Sequence, residues 1–162
     1  MSSVSGRSKT DLRIRDMRKA DLRAVVELEA RVFSDPWPRS AFEEQLSGGG
    51  WGALVAEADN RVVGYACYYT VDCEAHLTNI AVEPAYRRKS VARLLLETIL
   101  HVAEERGCEY VLLEVRVSNA EARAFYEKEG FRLLYRRPYY YRQPAEDALV
   151  LGRYLKPNKD ST

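Results

Sequence analysis

The spacing of apolar residues divides most of the chain into strands and helices. Alternating or continuous β-rich runs predict seven strands, at residues 12–14, 51–57, 62–71, 75–82, 110–115, 131–135 and 148–154. Apolar residues at helical spacing predict four helices, at residues 22–32, 40–47, 91–106 and 120–129. The order β-α-α-β-β-β-α-β-α-β-β predicts an α/β fold, a mixed sheet with helices on both faces.

Polar residues and glycines mark the ends of these helices. Asp21 and Asn119 each stand where an N-cap is expected. Gly107 and Gly130 stand where a helix is expected to stop. The run Ser40-Ala41-Phe42-Glu43 is typical of a capping box, in which the serine and glutamate side chains satisfy each other's backbone amides.

The chain has the length of a single domain, at 162 residues. No internal repeat and no Gly/Pro-rich linker divides it. Residues 1–10 and 156–162 carry few apolar side chains, so we expect loose tails on either side of a domain at residues 11–155.

Composition and charge exclude several classes of protein. A formal net charge of +1 is too small for a protein that neutralises many phosphates along a nucleic acid. Three cysteines, Cys67, Cys73 and Cys108, have neither the number nor the spacing of a disulfide framework or a zinc site. No secretion signal or run of about 18 apolar residues occurs. We therefore expect a cytoplasmic protein without a metal, a nucleic-acid partner or a membrane anchor.

A cationic segment leads directly into the longest predicted helix. Arg87, Arg88 and Lys89 follow one another just before the helix starts. A helix N-terminus presents unpaired amides and the positive end of the helix dipole, so this segment favours a phosphate or pyrophosphate ligand. A solvated basic turn has the same composition, and charge alone leaves that alternative open.

The same segment carries the signature of a family. Residues 87–92, RRKSVA, resemble the Q/R-x-x-G-x-G/A signature of the GNAT superfamily of N-acetyltransferases, although Ser90 replaces its first glycine. If that backbone needs a positive φ angle, serine costs about 1 kcal/mol or more. The resemblance implies that acetyl-CoA is bound, its pyrophosphate contacting Arg87, Arg88, Lys89, Ser90, Val91, Ala92 and Arg93.

The resemblance extends over about residues 11–155. Residues 77–84 resemble the central strand of the family, which implies that Ile80, Ala81 and Val82 contact the pantetheine arm through their backbone. Residues 113–122 and 125–131 are similar to the RimI-type protein N-terminal acetyltransferases, which implies that Asn119 contacts the coenzyme.

A carboxylate inside an apolar strand is the candidate base. Transfer of an acyl group to an α-amine needs a proton acceptor, because such an amine, with a pKa of about 7.7–8.0, is mostly protonated at pH 7. Strand alternation places Glu114 on the face of Leu112 and Arg116. The resemblance implies that Glu114 accepts the proton; a carboxylate in a structural salt bridge is the alternative.

A tyrosine on the Asn119-capped helix is the candidate acid. A tyrosine hydroxyl can protonate the departing thiolate of coenzyme A. The RimI-type resemblance implies this role for Tyr126, whereas its apolar helix face also suits a core aromatic.

The remaining candidates concern the acceptor. Arg136, Tyr139 and Tyr140 are expected to line the entry for a peptide N-terminus, or else to pack as an edge strand. His76 and His101 have no catalytic partner in the sequence and are expected to be structural. No G-x-S-x-G or H-E-x-x-H motif occurs, which favours direct transfer without a covalent enzyme intermediate.

Taken together, these features predict an acetyl-CoA-dependent enzyme that acetylates a protein N-terminus. The resemblance implies that the acceptor is the N-terminal alanine of a small-subunit ribosomal protein. Two alternatives stay open: a small polyamine, antibiotic or lysine side chain as acceptor, and a coenzyme A-binding module without catalysis.

Overall fold

A computed structural model describes residues 11–87 and 90–155 of the chain. The strands in these ranges are β1 Arg13–Asp16, β2 Trp51–Ala58, β3 Arg61–Val71, β4 Glu74–Val82, β5 Tyr110–Arg116, β6 Arg132–Arg142 and β7 Ala145–Tyr154. The α-helices are α1 Leu22–Val32, α2 Arg39–Gln45, α3 Val91–Glu105 and α4 Ala120–Lys128. The predicted order of elements and the α/β class are confirmed; the two predicted tails lie outside the described residues.

The strands form one sheet of order β1-β2-β3-β4-β5-β7-β6. Strands β1 to β4 are antiparallel neighbours, and β5 then lies parallel to β4 after the crossover through α3. Residues 74–77 of β4 pair with residues 110–113 of β5. Beyond that point the described residues of the two strands form no further pairs, so the centre of the sheet opens.

Helices cover both faces of the sheet, which explains why its central strands are apolar on both sides. Leu54 and Ala56 of β2 belong to a core with Leu95 and Ile99 of α3. The alternate residues of β2 pack instead against α1 and α2. Burying one such leucine or isoleucine contributes about 1.5–3 kcal/mol. Among the described residues, no helix has the length and apolarity needed to cross a bilayer.

A β-bulge at Thr78 interrupts the side-chain alternation of β4. Cys67 of β3 is paired with Asn79, and the next residue of β3 is paired with Leu77, so Thr78 is the extra residue. As a result, Leu77 packs in the core beneath α3, whereas Asn79 contacts α1 on the opposite face. The bulge therefore brings Asn79 to the same side of the sheet as His76.

The predicted capping box at residues 40–43 is wrong. Helix α2 begins at Arg39, with Pro38 in extended conformation as its N-cap and no side-chain capping bond. Ser40 therefore lies inside the first turn. Glu43 instead accepts a hydrogen bond from the guanidinium of Arg39 at 3.1 Å, because the two side chains are one helical turn apart.

The two other predicted caps have different outcomes. Asn119 caps α4 as predicted, its Oδ1 accepting a hydrogen bond from the amide of Ala122 at 3.1 Å. Asp21 precedes α1 but does not cap it with its side chain. Its carboxylate accepts from the amide of Arg18 at 2.7 Å and from the guanidinium of Arg15 at 2.8 and 2.9 Å. This ion pair holds the pKa of Asp21 below its usual value.

Strands β6 and β7 form a much longer hairpin than the sequence predicts. The predicted strands at 131–135 and 148–154 are extended in the structure to Arg132–Arg142 and Ala145–Tyr154. Pro138 and Tyr139, which has a positive φ, interrupt the regular pairing of β6 with β7. The register between the two strands shifts between Arg137 and Tyr141, where these residues lie. Such a strand is tolerated at the sheet edge, where the missing amide of proline breaks no pairing.

Ser90 has the left-handed backbone that the family glycine would favour, with φ 66° and ψ 14°. Its side chain makes no capping hydrogen bond to α3. Ser90→Gly should therefore raise the free energy of unfolding by about 1 kcal/mol, because glycine has no Cβ to clash at positive φ. Urea unfolding followed by circular dichroism measures the change.

Ala92→Gly is the matched control for that substitution. Ala92 lies in the first turn of α3, where the helical backbone gives glycine no such advantage. The free energy of unfolding of the Ala92→Gly variant should be lower than that of the wild type by about 0.5–1 kcal/mol. A similar fall in Ser90→Gly would contradict the left-handed conformation.

Candidate active site

A cleft of about 490 Å³ lies where β4 and β5 separate, within the size range of small-molecule sites. Its walls come from both faces of the sheet. They comprise Glu29, Phe33, Ser34, Asp35, Trp37, Tyr69, His76, Leu77, Thr78, Asn79, Ile80, Leu113, Glu114, Val115, Arg116, Asn119, Ala122, Tyr126, Tyr140 and Tyr141. Five sequence-predicted site residues are among them: Ile80, Glu114, Asn119, Tyr126 and Tyr140.

Glu114 follows directly after Leu113, the last residue of β5 that pairs with β4, and so stands at the start of the opening. Its carboxylate is largely buried, with 10% of the side chain exposed. Oε2 lies 2.6 Å from Nε2 of His76, and Oε1 lies 3.6 Å from the guanidinium of Arg137. The candidate base therefore has a fixed orientation at the point where the cleft begins.

The cation near Glu114 is not the one that strand alternation suggested. Arg116 is turned toward the β6–β7 hairpin, where it pairs with Glu146 at 3.3 Å. It also donates to the backbone carbonyls of Gln143 and Pro144 at 3.1 and 2.9 Å. Arg137, on the edge strand β6, takes the place beside Glu114.

The two histidines differ in their surroundings. His76 was expected to lack a catalytic partner, but its Nε2 contacts Glu114 and its Nδ1 lies 3.0 Å from the hydroxyl of Tyr69. In the sequence, Tyr69 and His76 are marked only as polar residues at non-core positions of β3 and β4. His101 is exposed on α3 and pairs with Glu105 one turn along the same helix.

Tyr126 lines the cleft from α4 and is buried among the rings of Phe125 and Phe131. Its hydroxyl makes no hydrogen bond with any other residue that the structure describes. Burial, with a smaller contribution from nearby Tyr141, raises the pKa of Tyr126 well above the ordinary value of a tyrosine. The hydroxyl therefore keeps its proton at neutral pH and is free to donate it.

A buried carboxylate that sequence reasoning missed forms the floor of the cleft. Glu29 of α1 is 1% exposed and accepts hydrogen bonds from the Tyr65 hydroxyl and from Nδ2 of Asn79, the latter at 3.1 Å. Its Oε2 accepts from the backbone amide of Trp37 at 2.9 Å. The signal was present, because Glu29 lies seven residues after Leu22 on the apolar stripe of α1.

The coenzyme residues predicted on β4 lie along a free backbone edge. Residues 79–82 pair with β3, whereas their other edge has no partner among the described residues. An extended chain can add to such an edge through main-chain hydrogen bonds. Ile80 lines the cleft there, while Ala81 and Val82 continue the edge beyond it. The edge fits an extended arm such as that of pantetheine.

The N-terminus of α3 packs against Gly64 of β3, the strand that pairs with β4. A Cβ on Gly64 would lie 3.1 Å from the carbonyl oxygen of Ala81 and 3.2 Å from Val91, so glycine permits the close approach. The first-turn amides of α3 have no helical acceptors, which suits a pyrophosphate. Arg93 is directed along the helix instead, toward Glu97 at 3.0 Å and Glu129 at 3.8 Å.

The rest of the predicted loop is only partly described. Arg87 closes a short 3-10 helix at Pro84–Tyr86, between β4 and α3. Arg88 and Lys89 lie outside the described residues. Asn119 lies at the other end of the site, where it combines its capping bond with a place in the cleft lining.

The predicted acceptor residues separate into two groups. Tyr140 lines the cleft and lies against the guanidinium of Arg137, 4.5 Å from its ring centroid. Arg136 and Tyr139 lie outside the cleft lining, held by Asp147 through the Arg136 side chain at 2.6 Å and the Tyr139 amide at 2.9 Å. Tyr141, next along the strand, lines the cleft as well.

A hydrogen bond joins the two walls at the mouth of the cleft. Ser34 Oγ, from the α1–α2 connection, donates to the carbonyl of Gln143 in the β6–β7 turn at 3.0 Å. Arg116 donates to the same carbonyl from the sheet. These contacts bring the α1–α2 connection and the hairpin together above the site. No cluster of three or more metal-binding side chains occurs in the described parts of the chain.

Comparison with known proteins agrees with this architecture. Residues 22–131 match the model of the acetyltransferase (GNAT) family. The [ribosomal protein bS18]-alanine N-acetyltransferase of Salmonella typhimurium is 38% identical over 134 residues, which cover 82% of this chain and 90% of that protein. The crystal structure of the ribosomal-protein-S18-alanine N-acetyltransferase from Escherichia coli is 31% identical, with a TM-score of 0.84, and covers 93% of this chain and 98% of its own.

A more distant structure shares the fold alone. Arabidopsis thaliana NAA60 in complex with acetyl-CoA is 16% identical, with a TM-score of 0.80 over 89% of this chain and 98% of its own. The separated central strands and these similarities define the class of the protein, which is an acetyltransferase. Within that class, the chain belongs to the GNAT family. The family resemblance predicted from residues 87–92 and their neighbours is thereby confirmed.

Proposed function

We propose that this protein transfers the acetyl group of acetyl-CoA to the α-amine of a protein N-terminus, that of an N-terminal alanine in a small-subunit ribosomal protein. The observation that carries the proposal is that Glu114 and Tyr126 line one cleft where β4 and β5 separate. The similarity to enzymes named for the alanine of ribosomal protein bS18 supports the choice of acceptor.

Glu114 acts as the base in this proposal. Its carboxylate takes a proton from the α-ammonium group, directly or through a water molecule, and leaves a neutral nucleophilic nitrogen. That nitrogen forms a bond to the carbonyl carbon of the thioester, and the carbon–sulfur bond breaks. The orientation of Glu114 by His76 supports this role, because a base must lie within hydrogen-bond reach of the proton it removes.

Tyr126 acts as the acid. Its hydroxyl gives a proton to the departing thiolate. The nitrogen, which carries an extra proton after its attack, returns that proton to the tyrosinate as the intermediate collapses, and Glu114 releases the first proton to solvent. The position of Tyr126 in the cleft and its unengaged hydroxyl support the assignment, because no other described residue competes for its proton. The free edge of β4 and the first turn of α3 hold the coenzyme.

The mouth of the cleft suits the end of an extended chain. Ser34 and Gln143 join its walls, and Tyr140 presents an aromatic surface beside them. Tyrosines offer broad contact surfaces at low entropic cost. Arg136 and Tyr139 remain predicted acceptor contacts, placed on the same hairpin outside the cleft.

The test is mass spectrometry of a peptide that begins with the alanine of the ribosomal protein and contains an internal lysine, after incubation with acetyl-CoA. We expect one acetyl group, located on the α-amine by fragmentation. Tyr126→Phe should reduce the rate by about 10²-fold, because general acid catalysis is lost while the ring still packs. Tyr154→Phe, at a side chain that is 80% exposed, should behave as wild type.

Other outcomes would contradict the proposal. Acetylation of the lysine alone would make the protein a side-chain acetyltransferase. Binding of acetyl-CoA without transfer to this peptide, but with transfer to small amines, would indicate a small-molecule acceptor. Binding without transfer to any amine would indicate a module without catalysis.

A further inference from the structure

A row of three hydrogen-bonded side chains crosses the sheet and ends at Glu114. Tyr69 and His76 are directly opposed in the antiparallel pair of β3 and β4. His76 is paired in turn with Leu112 of β5, and Glu114 lies two residues further along on the same face. Register alone therefore places Tyr69, His76 and Glu114 side by side.

The proton positions in this row follow from the chemistry of its ends. An ionised carboxylate can only accept, so Nε2 of His76 carries the hydrogen that it donates to Oε2 of Glu114 at 2.6 Å. In the neutral ring, Nδ1 is then an acceptor, and the Tyr69 hydroxyl donates to it at 3.0 Å. The opposite tautomer would direct a lone pair of the ring at the carboxylate.

The two oxygens of Glu114 consequently have different surroundings. Oε2 is held by His76. Oε1 has no hydrogen bond among the described residues; the guanidinium of Arg137 approaches it only to 3.6 Å. Burial, together with the charge of Glu114, raises the pKa of Tyr69, Tyr140 and Tyr141. Oε1 is thus the oxygen available to an incoming amine.

We propose that His76 is a positioning residue for Glu114, and that Tyr69 fixes the tautomer in which His76 does so. The pair holds Oε2 and presents Oε1 to the acceptor amine. This inference rests on the proposed function, in which Glu114 is the base. Stacking of the Tyr69 and His76 rings, with centroids 5.0 Å apart, and packing of Trp51 on Tyr69 at 5.2 Å keep the row rigid.

Kinetics of two matched variants test the role of His76. His76→Leu removes the donor, and kcat for acetyl transfer to the peptide should fall by about 10²-fold, the typical effect of misplacing a catalytic group by about 1 Å. His76→Gln should restore most of that loss, because its amide nitrogen can donate from nearly the position of Nε2. The KM for acetyl-CoA should be unchanged in both, since the coenzyme edge of β4 lies beyond the bulge.

A double-mutant cycle tests the role of Tyr69. Tyr69→Phe should lower kcat in the wild-type background, because the imidazole loses the donor that selects its tautomer. The same substitution should have no effect in the His76→Gln background, because a glutamine amide has no tautomer to select. Additive effects of the two substitutions would overturn the proposed coupling.

The tautomer can also be observed without turnover. The chain has two histidines, so His101→Gln leaves His76 as the single imidazole in a nitrogen NMR spectrum. We expect the Nε2–H tautomer in this protein and a mixture after Tyr69→Phe; the Nδ1–H tautomer would overturn the inference. A wild type that acetylates no peptide overturns the proposed function, whereas an active wild type matched in rate by His76→Leu overturns this inference alone.

Discussion

Replacing Glu114 with glutamine should lower kcat for acetyl transfer to the peptide by about 10²–10⁴-fold, the range of general base catalysis. The amide has the size of the carboxylate, and its oxygen can still accept the hydrogen bond from Nε2 of His76. It cannot take a proton from the amine at neutral pH. Steady-state rates with saturating peptide and acetyl-CoA measure the loss.

Two controls separate a loss of the base from a loss of the site. Calorimetric titration should show unchanged binding of acetyl-CoA, because its contacts are assigned to the backbone of β4 and the first turn of α3. Glu121→Gln, at an exposed position in the first turn of α4, should keep the wild-type rate. A Glu114→Gln variant that retains most of the wild-type rate would show that another group removes the proton.

Much of the fold could be predicted because its signals are local. The N-cap of α4 needs only a hydrogen bond between Asn119 and a residue three positions away, so the sequence alone identifies it. The positive φ at Ser90, which the family signature raised only as a condition, is similarly local, since it concerns one backbone position before a helix. Asp21 shows the limit of such reasoning, because the guanidinium of Arg15, six residues earlier on β1, binds its carboxylate instead.

The partners of the candidate base could not be predicted, because they depend on register between strands. His76 reaches Glu114, 38 residues further along the chain, through the parallel pairing of β4 with β5. The bulge at Thr78 then changes which side of β4 faces α1. Strict alternation along 75–82 would place Asn79 and His76 on opposite faces, whereas the bulge unites them on one.

The β6–β7 hairpin is a second reason why the partners of Glu114 could not be predicted from the sequence. Sequence alternation assigns Arg116 to Glu114, but nothing local reveals that residues 136–142 continue as an irregular edge strand past Pro138. The longer hairpin supplies Glu146 of β7 and the carbonyls of Gln143 and Pro144 to Arg116, and it brings Arg137 of β6 to Glu114. The identity of the candidate base is therefore a local signal, while its electrostatic environment depends on tertiary structure.

Replacing Glu29 with leucine should lower the free energy of unfolding by about 3–5 kcal/mol, a large share of the 5–15 kcal/mol typical of a domain. The substitution leaves two buried donors, the Tyr65 hydroxyl and Nδ2 of Asn79, and the partly buried amide of Trp37 without their acceptor. Urea unfolding followed by tryptophan fluorescence measures the change, because Trp37 lies at the site itself.

Two further variants on α1, together with the KM of the acceptor peptide, show whether the loss of stability in Glu29→Leu comes from the buried hydrogen bonds. Glu29→Gln keeps one accepting oxygen and should cost only about 1–2 kcal/mol. Glu27→Leu removes an exposed carboxylate of the same helix and should change stability by less than about 0.5 kcal/mol. If Glu29 holds the α1–α2 connection against β4, Glu29→Gln should also raise the KM of the acceptor peptide more than that of acetyl-CoA. A stability loss in Glu29→Leu as small as that in Glu27→Leu would show that water replaces the carboxylate and that the floor of the cleft is held by packing alone.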